Sequence, residues 1–522
     1  MNEHPAIRGG AQAWSLSKPQ VAGARGIVVA QHREAAQIGA DILSQGGNAM
    51  DAAIATALVL SVVEPWLSGI GGGGFLLHAA ADGTVDALDF NLMSPQGLDP
   101  ADYPLASGSD GDWFDWPAVR DNRNITGGSS ICTPGAVAGF AAALDRFGTM
   151  SWADIVAPAA QIAARGMTVD WFADLAFAVD RTNLLGNTAA TMLFLNPDLR
   201  QPHPDTASAT VLPMPNKAAV LRRLAQHGPR EFYEGETADL MLQDLAQVGS
   251  CISAKDLRDY KVVWQKPQVQ DYRDRQICVI PGLSGGPSLL RALSHLQDYQ
   301  IGTLSDAEQS AAHAVACRDA YEDRLKTLGH AAATEDCTSH LSVIDAQGNM
   351  VSLTNTLLSR FGSKVVLPQT DFVMNNGMMW FDPRHGQPNS IAPGVKPLAN
   401  MSPVIALRDG RPEIALGAAG GRQIFPAVLQ ILSHLIDRGD TPEAAMARPR
   451  IDASTATILV DRRAAADVAT AISEHHPVQL TDDTVYPVQF AIPSLVQAGQ
   501  GDGMAAGAAH PVSPWAAAVV AP

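Results

Sequence analysis

Residues 338–356 read Thr-Ser-His-Leu-Ser-Val-Ile-Asp-Ala-Gln-Gly-Asn-Met-Val-Ser-Leu-Thr-Asn-Thr. Two strand-like runs flank the turn-forming stretch Asp345-Ala-Gln-Gly-Asn349, the pattern of an antiparallel hairpin. Folded about Gln347, the hairpin sets Ile344 opposite Met350, Ser342 opposite Ser352, His340 opposite Thr354 and Thr338 opposite Thr356. Opposed Cβ atoms lie roughly 4.5–5.5 Å apart, so two threonine hydroxyls come within hydrogen-bonding reach at the open end. That is a start for nucleophilic chemistry. It is equally what a structural strand pair uses, because β-branched threonines suit sheets and opposed threonines stabilise them. The residue pattern leaves both readings open.

Two neighbours invite stronger claims. His340 shares a strand face with Thr338 but lies roughly 7 Å along it, so it reads as a structural hydrogen-bonding residue rather than a triad member. Nothing around Cys337 has a local cysteine-protease signature. A third motif, Gly-Ile-Gly-Gly-Gly-Gly at 69–74, formally contains G-x-G-x-x-G. The dinucleotide fingerprint needs a strand before it and a helix after it; here a helix and Pro65 precede, and Phe75-Leu-Leu-His follows as a strand. These glycines read instead as sites of close backbone approach or positive φ.

The elements around these residues can be placed from pattern. Residues 26–30 read as a strand and 33–44 as a helix stopped by Gly46-Gly47. Asn48 caps a second helix with Asp51 in its first turn, and that helix is apolar nearly all round, which marks it as buried. Strands follow at 74–78 and 84–89. Residues 100–130 are polar and Gly/Asp-rich with Trp113, Phe114 and Trp116, and read as a long surface loop. Residues 135–330 are mostly helical in pattern, with helices at 136–146, 152–165, 218–227, 237–248, 288–297 and 306–328. Alternating strands run to about 416, helices return at 425–438 and 442–447, strands resume at 458, and 499–522 is a low-complexity, alanine-rich tail. Strands, then helices, then both again imply stacked layers rather than repeated βαβ units.

Composition narrows the function. The 522 residues are 46% hydrophobic and 17% charged, with 36 Lys and Arg against 53 Asp and Glu for a net charge of −17. Such a chain buries a large core and repels phosphate backbones and anionic lipid, so neither nucleic acid nor a membrane is an expected partner. The five scattered cysteines form no metal or disulfide pattern, which suits a reducing compartment. Residues 1–21 show no signal-peptide pattern and no apolar run is long enough for a span, so a cytoplasmic location is expected.

Residues 338–362 resemble the processing-site signature of the γ-glutamyltransferase (glutathione hydrolase) family: T-S-H-x-S, then G-N-x-V-S-x-T-x-T, then Phe361-Gly362. Family-like blocks lie in order at 46–53, 68–75, 87–90, 134–139, 375–376, 401–403, 417–421 and 448–450, so that the likeness spans roughly 26–520. The resemblance implies an α+β fold, the four-layer αββα sandwich of the N-terminal-nucleophile hydrolases. It further implies a proenzyme that cuts its own Cys337–Thr338 bond into a large subunit, 1–337, and a small one, 338–522, the two forming one body. Thr338 then supplies both nucleophile and, through its new α-amine, general base; Thr356 orients the hydroxyl; Gly420 and Gly421 offer backbone N–H groups to the oxyanion. No cofactor and no metal are implied. The expected partners are a small amide substrate and the two subunits themselves.

The chain departs from the family where the glutamyl head is held. The arginine position is Asn91, the acid in the segment containing Asn376 falls on Trp380, the paired serines are Ala399 and Asn400, and the asparagine is Leu358. An α-ammonium beside Trp380 and Leu358 would be desolvated without a counter-charge. In residues 379–383 and 389–393 the chain resembles the family's acylase and oxamate amidohydrolase members. The expected activity is therefore acyl transfer from a small amide to water or an amine. The acyl group is γ-glutamyl or related; the alternatives are an amidase for an oxamate- or glutaryl-type group, or a non-catalytic binding relative. Arg422, Arg120 and Arg123 are candidate cations for a carboxylate, and their plainer reading is a surface or structural ion pair.

Overall fold

Alternation along each strand sorts the side chains into three cores, and the three cores define four layers. The computed structural model describes residues 16–109, 117–329, 336–499 and 503–522. One seven-stranded antiparallel sheet runs Val21–Gly23, Ala505–Ala509, Ile492–Gln497, Arg411–Ala419, Val404–Arg408, Arg275–Val279, Gln268–Tyr272. The other runs Val263–Gln265, Val85–Phe90, Gly73–Ala79, Met350–Ser359, Asp336–Asp345, Gly26–Ala30, Ala517–Val520. In the second sheet Val28, Leu341, Val343 and Leu353 face the helices Arg33–Ser44, Ala49–Val63, Ala136–Phe147 and Trp152–Arg165. Ile27, Val29, Ile344 and Met350 face the first sheet, where they meet Ile405, Ala415 and Val496. The far side of the first sheet packs Val279, Leu416 and Leu495 on the helices Gly286–Leu296, Asp306–Thr327 and Ile424–Asp437. This is the expected αββα arrangement.

The hairpin is held at its turn. Asp345 accepts N–H bonds from Gln347 (3.0 Å) and Asn349 (2.9 Å), and its second oxygen takes the Ala49 N–H at 3.0 Å. The turn is thereby fastened to the first residue of the Ala49–Val63 helix, all of whose residues are buried. That helix starts with the Asn48/Asp51 capping box.

Three expectations need correction. Within 135–330, Val263–Gln265, Gln268–Tyr272 and Arg275–Val279 are strands that supply outer positions of both sheets. They are short and carry Gln, Asp and Arg, polar and charged residues of the kind that guards exposed edges, and this hides their period. The tail contains Ala505–Ala509 and Ala517–Val520, strands of the two sheets. Small residues are needed there because a Cβ on Gly507 would lie 2.6 Å from Ile27 Cγ2. The 100–130 segment is no simple loop: Leu105–Ser109 pairs with Pro117–Val119, and Tyr103, Val119, Asn124 and Ser130 are buried. Trp113, Phe114 and Trp116 lie outside the described residues, as do 1–15.

Candidate active site

The hairpin has the expected register, with Thr338 opposite Thr356, His340 opposite Thr354, Ser342 opposite Ser352 and Ile344 opposite Met350. At its open end the Thr338 hydroxyl donates to Thr356 Oγ1 at 3.2 Å, and both residues are buried. Thr356 Oγ1 also accepts the Leu358 N–H at 2.8 Å. One hydrogen-bonded step further the ladder slips: Cys337 stands opposite Leu358, leaving Leu357 as an extra residue. Leu358 takes φ +83°, a left-handed conformation that costs a non-glycine residue about 1–2 kcal/mol. A β-bulge therefore sits at the Cys337–Thr338 peptide.

Behind the threonines the polar face of the hairpin crosses to the other sheet. His340 is fully buried, with Nδ1 2.8 Å from Thr354 Oγ1 and Nε2 3.1 Å from Ser342 Oγ. Because Ser342 donates to the Ser494 carbonyl at 3.1 Å, its oxygen must accept from Nε2–H, and Thr354 donates to Nδ1. Burial lowers the His340 pKa to about 3, so the ring is neutral and both nitrogens are occupied. The ring lies against Gly417, where an added Cβ would be 2.3 Å from Cε1. His340 is a tie between the sheets, as its position on the strand suggests.

The glycine-rich stretch 69–74 lies along the same hairpin. A Cβ on Gly72 would be 2.1 Å from the Thr356 carbonyl oxygen, and one on Gly74 would be 2.0 Å from that of Thr354. Close approach is what these glycines provide; their φ values are not positive. Gly420 and Gly421 do have positive φ, +134° and +55°. They form a turn packed against the Asp336–Asp345 strand and lead into the Ile424–Asp437 helix. Gln423 Nε2 ties the turn to the Gln489 carbonyl at 2.9 Å.

The candidate substrate residues divide. Asn91 Nδ2 donates to the Pro397 carbonyl at 3.1 Å, and Asn376 Nδ2 donates to Ser359 Oγ at 2.8 Å while its oxygen accepts the Ser359 N–H. Both side chains are committed to holding loops together. Leu358, Trp380 and Ala399 share the apolar core between the sheets, and Trp380 Nε1, though buried, has no partner among the described residues. Asn400 is buried, with its oxygen accepting from Arg324 Nη2 at 3.1 Å. Arg422 is buried, not at the surface, whereas Arg120 and Arg123 are exposed.

Sequence reasoning missed Tyr321 and Arg324, because the segments they hold, around Arg422 and Ala399, are distant in the chain and only the docking of their helix brings them together. Arg324 donates to the Ser284 and Ala399 carbonyls, both at 2.8 Å, besides Asn400; burial lowers its pKa to about 10. The Tyr321 hydroxyl donates to the Arg422 carbonyl. Among the described residues no His, Cys, Asp and Glu cluster suits a metal, and no helix is long and apolar enough to cross a membrane.

Comparisons with known proteins show the family and the fold. The family model described as gamma-glutamyltranspeptidase matches residues 35–337 and 325–519. The chain is 32% identical over 478 residues to the acylase ACY 1 proenzyme of Pseudomonas sp. strain SE83, covering 84% of each. It is 30% identical over 483 residues to the glutathione hydrolase proenzyme of Escherichia coli K12, covering 82% of this chain and 80% of that protein. The solved cephalosporin acylase from Bacillus halodurans shares the fold, with TM-score 0.84 and 24% identity over 98% of this chain and 99% of that one. With a hydroxyl pair at the end of its central hairpin, a positive-φ glycine turn beside it and a family match along nearly all its length, the chain belongs to the γ-glutamyltranspeptidase family.

Proposed function

We propose that this chain is a self-processing amide hydrolase with Thr338 as its nucleophile. The observation that carries the reading is the Thr338–Thr356 hydroxyl pair, 3.2 Å apart, at the β-bulge of the hairpin. In maturation the Thr338 hydroxyl attacks the Cys337 carbonyl carbon. The C–N bond breaks, the former amide nitrogen takes the proton, and the segments are joined by an ester. Water cleaves the ester, giving a carboxylate on Cys337 and a free amine on Thr338. The proenzyme names of the relatives support such a two-subunit product.

In turnover the Thr338 amine is the base. A free α-amine has a reference pKa of about 7.7–8.0, so it accepts the hydroxyl proton near neutrality. Thr356, whose own oxygen is fixed by the Leu358 N–H, holds Thr338 Oγ1 in place. The oxygen attacks the substrate carbonyl, and the N–H groups of Gly420 and Gly421 take the oxyanion. The leaving amine departs with the proton, and water or another amine releases the acyl group.

A second reading concerns the acyl group. Where a zwitterionic head would need charged partners, the chain places Leu358, Trp380 and Ala399 in one apolar cluster. The buried Arg324 is bonded to the neutral oxygens of Ser284, Ala399 and Asn400. Among the described residues its hydrogen-bond partners are neutral oxygens, and a desolvated guanidinium so placed favours an anion nearby. This supports an acyl group that carries a carboxylate and lacks an amine, in line with the acylase names among the relatives.

The test is the mass of the purified, denatured protein with sequencing of the fragments. Fragments of 337 and 185 residues, the smaller beginning Thr-Ser-His, are expected; a stable uncut chain refutes the reading. Comparing kcat/KM for γ-glutamyl, glutaryl and oxamate amides then assigns the acyl group. A γ-glutamyl preference of orders of magnitude would overturn the second reading.

A further inference from the structure

The Asp306–Thr327 helix is the last element before the proposed cut, and it belongs to the large subunit. Three of its side chains, at positions i, i+3 and i+6, share one face, and each grips a segment from beyond the cut. Arg318 Nη2 donates to the Ala456 carbonyl at 2.8 Å. Tyr321 donates to the Arg422 carbonyl, in the turn that follows Gly420 and Gly421. Arg324 donates to the Ala399 carbonyl at 2.8 Å and to Asn400 Oδ1 at 3.1 Å. The Tyr321 ring also packs on Phe425, with centroids 4.5 Å apart, at the start of the helix that the glycine turn leads into. Burial holds the Tyr321 hydroxyl in its protonated, donating form.

We propose that Tyr321 and Arg324 are positioning residues that aim the small subunit's oxyanion turn and acyl-group wall from the large subunit. The inference rests on the proposed role of Gly420 and Gly421. Its physical basis is the conformation of the turn. Two consecutive glycines at positive φ leave the peptide planes on either side free to rotate, and an oxyanion donor must be fixed in direction before reaction to be effective. The Gln423 side chain holds the turn from within the small subunit; Tyr321 holds its carbonyl from the other. Since the helix is docked by buried side chains rather than by the linker, the grip survives the cut. Tyr321 acts on the turn and therefore on the transition state, whereas Arg324 acts on the 399–400 segment and therefore on binding.

This division gives opposite kinetic signatures. Tyr321→Phe keeps the ring and removes the hydroxyl; kcat is expected to fall at least tenfold with KM within twofold of wild type. Affinity for a boronate that mimics the tetrahedral intermediate should fall by the same factor as kcat/KM, with product inhibition unchanged. Arg324→Lys is expected to raise KM at least fivefold with little change in kcat. Glu322→Gln, exposed on the same helix, is the control and should match wild type. Equal losses in kcat, KM and melting temperature for both variants would overturn the inference, as would wild-type kinetics in Tyr321→Phe. If Tyr321→Phe does not accumulate, the KM effect of Arg324→Lys still decides, and its absence refutes the proposal. An uncut, inactive wild type overturns the functional reading and this inference together; a working wild type with unaffected variants overturns this inference alone.

Discussion

Replacing Gly72 by alanine tests whether the hairpin's threonine pair depends on the backbone that runs against it. The new Cβ would lie 2.1 Å from the Thr356 carbonyl oxygen and 2.9 Å from its carbon. Since carbon contacts settle at about 3.5 Å, the Thr356 backbone must retreat by roughly 1 Å. No flexible side chain can absorb this, because the atom met is main chain. The Thr338–Thr356 hydroxyl contact is already 3.2 Å, the long end of the hydrogen-bonding range, so such a retreat breaks it. A misplacement of about 1 Å typically costs about 10²-fold in rate, whereas overpacking of this size costs about 1–3 kcal/mol of stability. The variant should therefore fold and be cut about a hundredfold more slowly. The assay follows the uncut chain by denaturing gel after synthesis, with circular dichroism to establish folding. Gly69→Ala is the matched control in the same loop, because its Cβ would meet only Ser61 Cβ at 3.8 Å, and it should be cut like wild type. If Gly72→Ala is cut at the wild-type rate with an unchanged melting temperature, the close-approach argument fails.

Thr356→Val keeps shape but removes the acceptor for both the Thr338 hydroxyl and the Leu358 N–H; cleavage and turnover should each slow by ten- to a hundredfold, read by gel and by kcat. Gly417→Ala would press a methyl to 2.3 Å from the His340 ring and disturb its 2.8 Å bond to Thr354. At about 1–3 kcal/mol for overpacking, the melting temperature should fall by several degrees, and no change in a thermal melt would count against the tie between the sheets. Burial lowers the pKa of His32 and His340 to about 3, of His78 and His313 to about 4, and of His434 well below its ordinary value. The unfolded chain therefore binds more protons, and stability should drop as pH falls below about 6.5, by about 1.4 kcal/mol per histidine per pH unit. Glu64, Asp371 and Asp452, whose raised values act with the opposite sign, are outnumbered; urea midpoints that do not fall between pH 7 and 5 would refute this.

The hairpin was legible from Thr338 to Thr356 because its register follows from period two and one turn, and both are local; the slip that sets Cys337 opposite Leu358 was not, since period two carries no sign of a bulge. The same holds for the Asn48 cap and for the helices that were read, whose ends differ from expectation by a residue or a few, whereas the helices Trp171–Val179 and Ala466–Ser473 went unread. The glycine-rich loop was legible as close approach, although only the folded chain shows that Thr354 and Thr356 are what it approaches. The outer strands at 263–279 escaped because exposed polar residues erase the alternation on which strand reading depends. Ala505–Ala509 escaped because its small residues answer to Ile27, hundreds of positions away. The role of Asn91 as a loop tie to Pro397 and the grip of Tyr321 on Arg422 are long-range hydrogen bonds, and no local spacing encodes them.

The order of strands in the two sheets has a consequence for how the matured protein comes apart. In one sheet Met350–Ser359 is flanked by Gly73–Ala79 and the strand that carries Thr338, and Gly26–Ala30 lies between that strand and Ala517–Val520. In the other, Val21–Gly23 and Arg275–Val279 bracket the strands from the C-terminal third. A cut at Cys337–Thr338 would thus leave two polypeptides woven through both sheets, and neither could leave without unzipping its neighbours. Unfolding would change its molecularity, from one molecule opening to one complex yielding two chains. By mass action the melting temperature of the cut protein should then rise with its concentration, whereas that of the uncut chain should not.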